Sequence, residues 1–239
     1  SDCMGNVIEK TVGKQTTIYE YDLLGRMTLR RNAEMETQWN WDAGNAIGQL
    51  ESSLQTNLNG EVRQVEEFFK YDEYGRMKEH AQAIDGGELL AFKYAYNANG
   101  RLKSTTYPSG LKLTNTYDTY GTLVKIKHNG KPIWEAKKFN AYGTLDEYKF
   151  NTNYTVQQTF DTITGDLTSK KVKRGNTSDF LQRYQWDKLH SNLCSRADAI
   201  TGLSESFDYD NFNRLTMITT KKSGSIVNMI KIQYDAFGN

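Results

Sequence analysis

The chain has 239 residues, with 30 Lys and Arg against 29 Asp and Glu. The resulting net charge of +1 excludes a strong electrostatic claim on nucleic acid or an anionic membrane. Hydrophobic content of 37% and a mean hydropathy of -0.72 are low for a compact core, yet 12% aromatic residues argue against disorder. The apolar material is concentrated in rings, as suits a thin, extended sheet.

Cys3 and Cys194 are far apart and follow no spacing pattern, so both read as free thiols. No run of 18 apolar residues occurs, so no membrane insertion is expected. No charged-then-apolar leader opens the chain.

Taken in chain order, the elements repeat. The string YEYDLLGRM at 19–27 returns as FKYDEYGRM at 69–77 and YAYNANGRL at 94–102. Written as aromatic–Asp/Asn–x–x–Gly/Asn–x–Leu/Met/Ile, the motif has six clean copies. They begin at Tyr21 (with Asp22 and Gly25), Tyr71 (Asp72, Gly75), Tyr96 (Asn97, Gly100), Tyr117 (Asp118, Gly121), Phe139 (Asn140, Gly143) and Tyr209 (Asp210). Looser copies begin at Trp41 (Asp42, in WDAGNAI), Phe160 (Asp161) and Trp186 (Asp187), the last two with one extra residue each. A copy at Tyr234 and Asp235 is cut short, and DCMGNVI at 2–8 has Ser1 where the aromatic belongs.

Successive anchors are 20, 20, 30, 25, 21, 22, 21, 26, 23 and 25 residues apart. A period in this range marks a solenoid, propeller or array. The expectation is one array over 1–239, of about ten repeats of roughly 20–30 residues, truncated inside the motif at both ends.

Asp followed three residues later by Gly is the pattern of a type I turn: the carboxylate accepts backbone N–H bonds and Gly tolerates positive φ. Before the turn, aromatics alternate at Tyr19/Tyr21, Trp39/Trp41, Phe69/Tyr71, Tyr94/Tyr96, Tyr184/Trp186 and Phe207/Tyr209. Such i, i+2 pairs form a stripe on one side of a strand. After it comes a return strand rich in β-formers, such as LVKIK or LTMITT. Pro108 and Pro132, together with PSG, NGK and KSG, supply turn chemistry at the opposite ends of the hairpins. The fold class is therefore all-β: on the order of twenty strands in tandem hairpins, each stable only beside the next.

The motif, its period and Arg26, Arg76, Arg101 and Arg214 at one position of the clean copies resemble the YD repeat of the Rhs (rearrangement hotspot) family along essentially the whole chain. That resemblance implies a continuous curved sheet spiralling into a hollow shell. In bacterial polymorphic toxins and insecticidal toxin complexes such a shell encloses a C-terminal toxic domain, and related repeats form the barrel of the teneurin adhesion receptors. It implies a secreted or cell-surface setting, with the remaining repeats and a core or effector domain as partners. The family's core segment, with its GRF-like signature and self-cleavage at an Asp, has no counterpart here. The departures are WDAGNAI, the two lengthened copies and the 30-residue gap after Trp41, which bear on local register.

No catalytic site, cofactor or metal is expected. The recurring carboxylates Asp22, Asp42, Asp72, Asp118, Asp187, Asp210 and Asp235 are interchangeable turn caps rather than a special acid pair. The aromatic stripe packs the sheet if buried; if exposed, it would stack on carbohydrate, the alternative function. His80, His128 and His190 lie in different repeats without a second ligand at metal spacing. The basic run KKVKR at 170–174 reads as a solvated return strand. NYT at 153 and NTS at 176 fit the glycosylation sequon. Open strand edges predict edge-to-edge self-association.

Overall fold

The computed structural model describes residues 1–44, 46–58, 64–151, 153–235 and 238. Among them are twenty β-strands and no helix, in two compact units, Ser1–Asn115 and Thr116–Asn239. Both units are meanders, each strand pairing antiparallel with the next.

In the first unit the strands are β1 (Glu9–Val12), β2 (Gln15–Tyr21), β3 (Met27–Arg31), β4 (Met35–Ala43), β5 (Ala46–Asn57), β6 (Gln64–Tyr71), β7 (Met77–Ile84), β8 (Leu90–Tyr96), β9 (Leu102–Thr106) and β10 (Lys112–Tyr117), whose last two residues belong to the second unit. The second unit continues with β11 (Leu123–His128), β12 (Lys131–Phe139), β13 (Leu145–Phe150), β14 (Tyr154–Phe160), β15 (Leu167–Arg174), β16 (Thr177–Trp186), β17 (Leu193–Asp198), β18 (Leu203–Tyr209), β19 (Leu215–Lys222) and β20 (Ser225–Lys231).

Outgoing strands such as β2, β6, β8, β14, β16 and β18 end on an aromatic anchor, and each return strand begins on the motif's Leu or Met. A bulge marks every one of these junctions. Glu20 pairs with Leu29 but Tyr21 with Met27, leaving Thr28 over. The same one-residue slip follows Lys70, Ala95, Thr159, Gln185 and Asp208. The opposite hairpin ends use tight turns. Asn129–Gly130 (φ 48° and 77°) joins β11 to β12, and Ser223–Gly224 (49° and 87°) joins β19 to β20; two positive φ values in sequence define the type I′ turn that suits strand twist. Pro108 lies in the turn that hydrogen-bonds Gly110 N–H to the Tyr107 carbonyl. Pro132, expected in a turn, instead lies in β12 opposite Lys127, beside a bulge where its missing N–H is tolerated.

The copy at Trp41 departs from its expected register. Ile47 was to begin the return strand, but Trp41 pairs with Leu50, and Ala43 closes against Ala46 in a short inner hairpin. Three extra loop residues leave Ile47 84% exposed. They account for part of the long gap to Tyr71; the stretch 59–63 lies outside the described residues.

The buried residues are small: Ala46, Ala81, Ala83, Val156, Thr37, Ser53, Ser104 and Thr219. Among the described residues no large side chain is fully buried. All twelve paired aromatics are half-buried, while the residue between each pair, such as Glu20, Lys70 or Gln185, is exposed. The alternation follows from the period-2 geometry of a strand. Ser53 lies opposite Trp39, whereas Ala81, Ser104 and Thr219 lie opposite Phe68, Ala95 and Ser206, on the face turned away from the paired rings.

Candidate functional site

The repeating turn is the one elaborated site among the described residues. At Asp22, the main-chain N–H donates to the Arg26 carbonyl (2.9 Å), and Gly25 N–H donates back to the Asp22 carbonyl (3.0 Å). Asp22 Oδ1 accepts the amides of Leu24 and Arg26, both at 2.9 Å. This pattern recurs at Asp72, Asn97, Asp118, Asn140 and Asp210. It also forms at Asp2, although Ser1 replaces the aromatic there. Asn serves as well as Asp because the acceptor oxygen is what the loop requires. Gly25, Gly75, Gly100, Gly121 and Gly143 all have positive φ, and Asn213 takes this position at φ 60° after Asp210. In the lengthened copies the main-chain bond widens: Asp161 N–H reaches the Asp166 carbonyl and Asp187 N–H that of Asn192.

Seven anchor rings fasten their hairpins to the preceding ones. The Tyr96 hydroxyl donates to the Met77 carbonyl at 2.7 Å. Tyr21 reaches Val7, Tyr71 reaches Leu50, Tyr209 reaches Leu193 and Tyr234 reaches Leu215. The indoles of Trp41 and Trp186 do the same to Met27 and Leu167. These carbonyls need a partner because the ladder stops short: β7 and β8 pair no closer to the turn than Glu79 with Lys93, two residues beyond Met77. At Phe160, which has no donor, Gln158 two residues earlier donates Nε2 to Leu145 at 3.1 Å. Asn115 likewise serves Leu102 two residues before Tyr117. Residues i and i+2 share a face, so either can reach the same carbonyl.

The motif arginines tie neighbouring repeats. Arg76 Nε bonds its own Asp72 Oδ2 at 2.7 Å, and the guanidinium lies 4.5 Å over the Tyr96 ring of the next repeat. Arg214 repeats this with Asp210 and Tyr234, again at 4.5 Å. A Cβ on Gly100 would stand 3.4 Å from Arg76 Nη1, so the guanidinium also lies against the next turn. The Arg76 side chain holds the Asp72 carboxyl below the usual carboxylate range, with the Arg76 and Tyr74 amides adding to the effect. At Asp210 the Arg214 amide leads in the same direction.

Asp42 is a correction to the interchangeable-cap reading. Its φ is 70°, and its carboxylate reaches both the preceding repeat and the far side of its own enlarged loop. It accepts Arg26 Nη1 and Nη2 at 2.8 and 2.7 Å and the Gly48 amide at 2.7 Å. Arg26 therefore joins Asp22, Asp42 and the Trp41 ring, 5.2 Å away. The Arg26 fork, then the Gly48 amide, hold the Asp42 carboxyl far below its ordinary range, and the two carboxylates push the guanidinium up.

The remaining candidates disperse. His80 stacks on Phe69 at 4.8 Å and faces Phe92 at 6.5 Å, with Nε2 3.3 Å from Glu67. This cross-strand stack was not visible in spacing alone, since it depends on register. His190 Nδ1 is 2.7 Å from Asp187 Oδ2. Cys3 and Cys194 are exposed free thiols. Arg174 in the basic run pairs with Asp179 at 3.2 Å. Main-chain bonding at Asp235 follows the motif, Gly238 N–H donating to its carbonyl. Among the described residues no group of three or more His, Cys, Asp or Glu is placed to hold a metal.

Residues 96–131 match the family model of the RHS repeat. No match was found among curated proteins. The fold is similar to part of the Tc holotoxin pore of Photorhabdus luminescens (TM-score 0.57, 13% identity, 97% of this chain and 16% of that one). It is also similar to a TcdB2–TccC3 structure without the hypervariable C-terminal region (TM-score 0.60, 15% identity, 85% and 13%), and to a TcdB2–TccC3–Cdc42 structure (0.59, 14%, 85% and 13%). The chain thus spans about one-sixth or less of these proteins. The motif and the hairpin built on it recur outside 96–131 as well, so the chain fits a fragment of RHS (YD) repeats.

Proposed function

We propose that the chain is a non-catalytic wall segment of an Rhs-type shell, one array of ten repeats over 1–239 that encloses or displays a toxin or effector domain of a secreted or cell-surface protein. The observation that carries this reading is the side-chain bond from an anchor ring to a carbonyl of the hairpin before it, made at seven anchors, as from Tyr96 to Met77. It makes the repeats a stiff, self-extending sheet rather than a scaffold around one cleft. The fold likeness to Tc toxin components supports the same reading by analogy. The motif residues, from Tyr21 and Asp22 to Tyr234 and Asp235, act structurally in it, and the partners are the neighbouring repeats and the effector domain.

Carbohydrate binding through the stripe is less favoured. The anchor rings are half-buried, and the polar tips of seven of them are held by backbone carbonyls. The test is protease protection in the parent polypeptide expressed from its native reading frame. An enclosed C-terminal segment survives a protease that digests the same segment alone; immediate cleavage of that segment overturns enclosure.

A further inference from the structure

The arginine that joins repeats is absent at four successive junctions of the second unit, where Thr122, Thr144, Asp166 and Asn192 stand in its place, and open clefts lie at the last three of them. Thr144 stands where Arg76 stands in its repeat, Phe160 where Tyr96 does, and Gly165 where Gly100 does; these three residues line one cleft of about 630 Å³. At the next two junctions, Asp166 with Trp186 and Asn192 with Tyr209 line clefts of about 400 and 430 Å³. Asn192 Nδ2 partly bridges its cleft by donating to Asn213 Oδ1 at 3.0 Å.

The Thr144 cleft keeps the aromatic half of a guanidinium's surroundings; the turn cap is the neutral Asn140 where Arg76 meets Asp72, and the carboxylates come instead from Asp146, Glu147 and Asp161. Its size falls within the range of small-ligand sites, roughly 300–1,000 Å³. The Phe160 ring is the counterpart of the Tyr96 ring that carries Arg76 at 4.5 Å. Asp146, Glu147 and Asp161 line it with Lys138, and Lys188 lies close enough to help hold the Asp161 carboxyl low, which leaves an excess of one negative charge. Lys138 approaches Asp146 only to 3.6 Å, and Gln157 donates to Glu147 at 2.9 Å. Tyr142 also lines the cleft, its hydroxyl donating to the Thr162 carbonyl at 3.2 Å. An aromatic face beside carboxylates selects a flat cation, which stacks on the ring while its N–H groups meet the oxygens.

We infer that the cleft between Thr144 and Phe160 is a binding site for an arginine side chain supplied by a partner protein, which takes the place that the motif arginine fills elsewhere in the chain. The site does not depend on the shell reading; an adhesion module or an isolated array would hold it equally.

The test uses the 239-residue chain, N-acetyl-arginine methylamide as probe and its citrulline counterpart as a neutral isostere, followed by NMR. The arginine probe is expected to shift resonances of Phe160 and Thr144 and to bind at least tenfold more tightly than the citrulline probe. The double variant Asn140→Asp/Thr144→Arg rebuilds the internal pair on an exposed turn; it is expected to raise Tm and abolish probe binding. Phe160→Ala is expected to weaken binding at least tenfold. Equal binding of both probes, no binding of either, or undiminished binding to the double variant would each overturn the assignment.

Discussion

Arg26 grips Asp42 through two parallel hydrogen bonds of 2.8 and 2.7 Å, across 16 residues of sequence and from one repeat to the next. The fork geometry matches a carboxylate, and the same guanidinium also bonds Asp22 at 2.7 Å. Because the Asp42 carboxyl is held low in the folded state, its ionised form stabilises the fold at every pH above its unfolded value. That contribution disappears as pH falls through the folded value. Asp42→Asn is therefore expected to lower Tm at pH 7, with the gap to the parent narrowing below about pH 4. Thermal unfolding from pH 7 to pH 2 measures it; a gap that ignores pH would remove the ion pair as the cause.

Tyr96 separates ring from hydroxyl. Tyr96→Phe keeps the stack with Arg76 and loses the bond to the Met77 carbonyl, at an expected cost of about 1 kcal/mol. Tyr96→Ala also loses the half-buried ring, at an expected cost of about 2 kcal/mol, less than for a fully buried aromatic. Urea unfolding of both variants checks the order. Equal stability of the two would mean the ring itself contributes nothing.

Gln158 substitutes for an absent hydroxyl at Phe160, so the two positions should be coupled. Gln158→Ala is expected to cost about 1 kcal/mol in the parent, where the Leu145 carbonyl loses its donor. In the Phe160→Tyr background the same change should cost much less, since a phenol at the anchor reaches the equivalent carbonyl in other repeats. A double-mutant cycle reads the difference; strict additivity would show that the two side chains do not serve one carbonyl.

All seven residues of β20 are exposed, among them Ile226, Val227, Met229 and Ile230. β20 pairs with β19, and an apolar strand so exposed invites edge pairing. The 239-residue chain is expected to self-associate as concentration rises, and Val227→Lys to suppress it. Light scattering across a concentration series decides this: a parent that stays monomeric throughout removes edge pairing.

Among the turn residues, strain rather than space sets tolerance. Gly143 has φ 76°, and a Cβ added there would meet nothing within 4 Å. Gly143→Ala is therefore expected to cost about 1 kcal/mol from the left-handed backbone alone. Gly143→Asn should cost less, as Asn213 already occupies the equivalent position at φ 60°. Comparing the two Tm values tests this directly.

Local chemistry made most of the architecture readable. Asp22, Gly25 and Arg26 lie within five residues, and the bonds that close their loop are made inside that span. The strand alternation of Tyr19 and Tyr21 is equally local. By itself, then, the sequence determined the turn, the hairpin, the repeat and the all-β class. Only the tertiary structure decided which repeat a side chain serves. WDAGNAI spells a turn like its siblings, yet the register places Leu50 opposite Trp41 and gives Asp42 to Arg26. Gln158 takes over the Leu145 carbonyl, His80 comes to lie between Phe69 and Phe92, and a cleft stays open between Thr144 and Phe160. The reason is that a one-residue bulge or a three-residue insertion leaves the local pattern intact while moving every cross-strand partner.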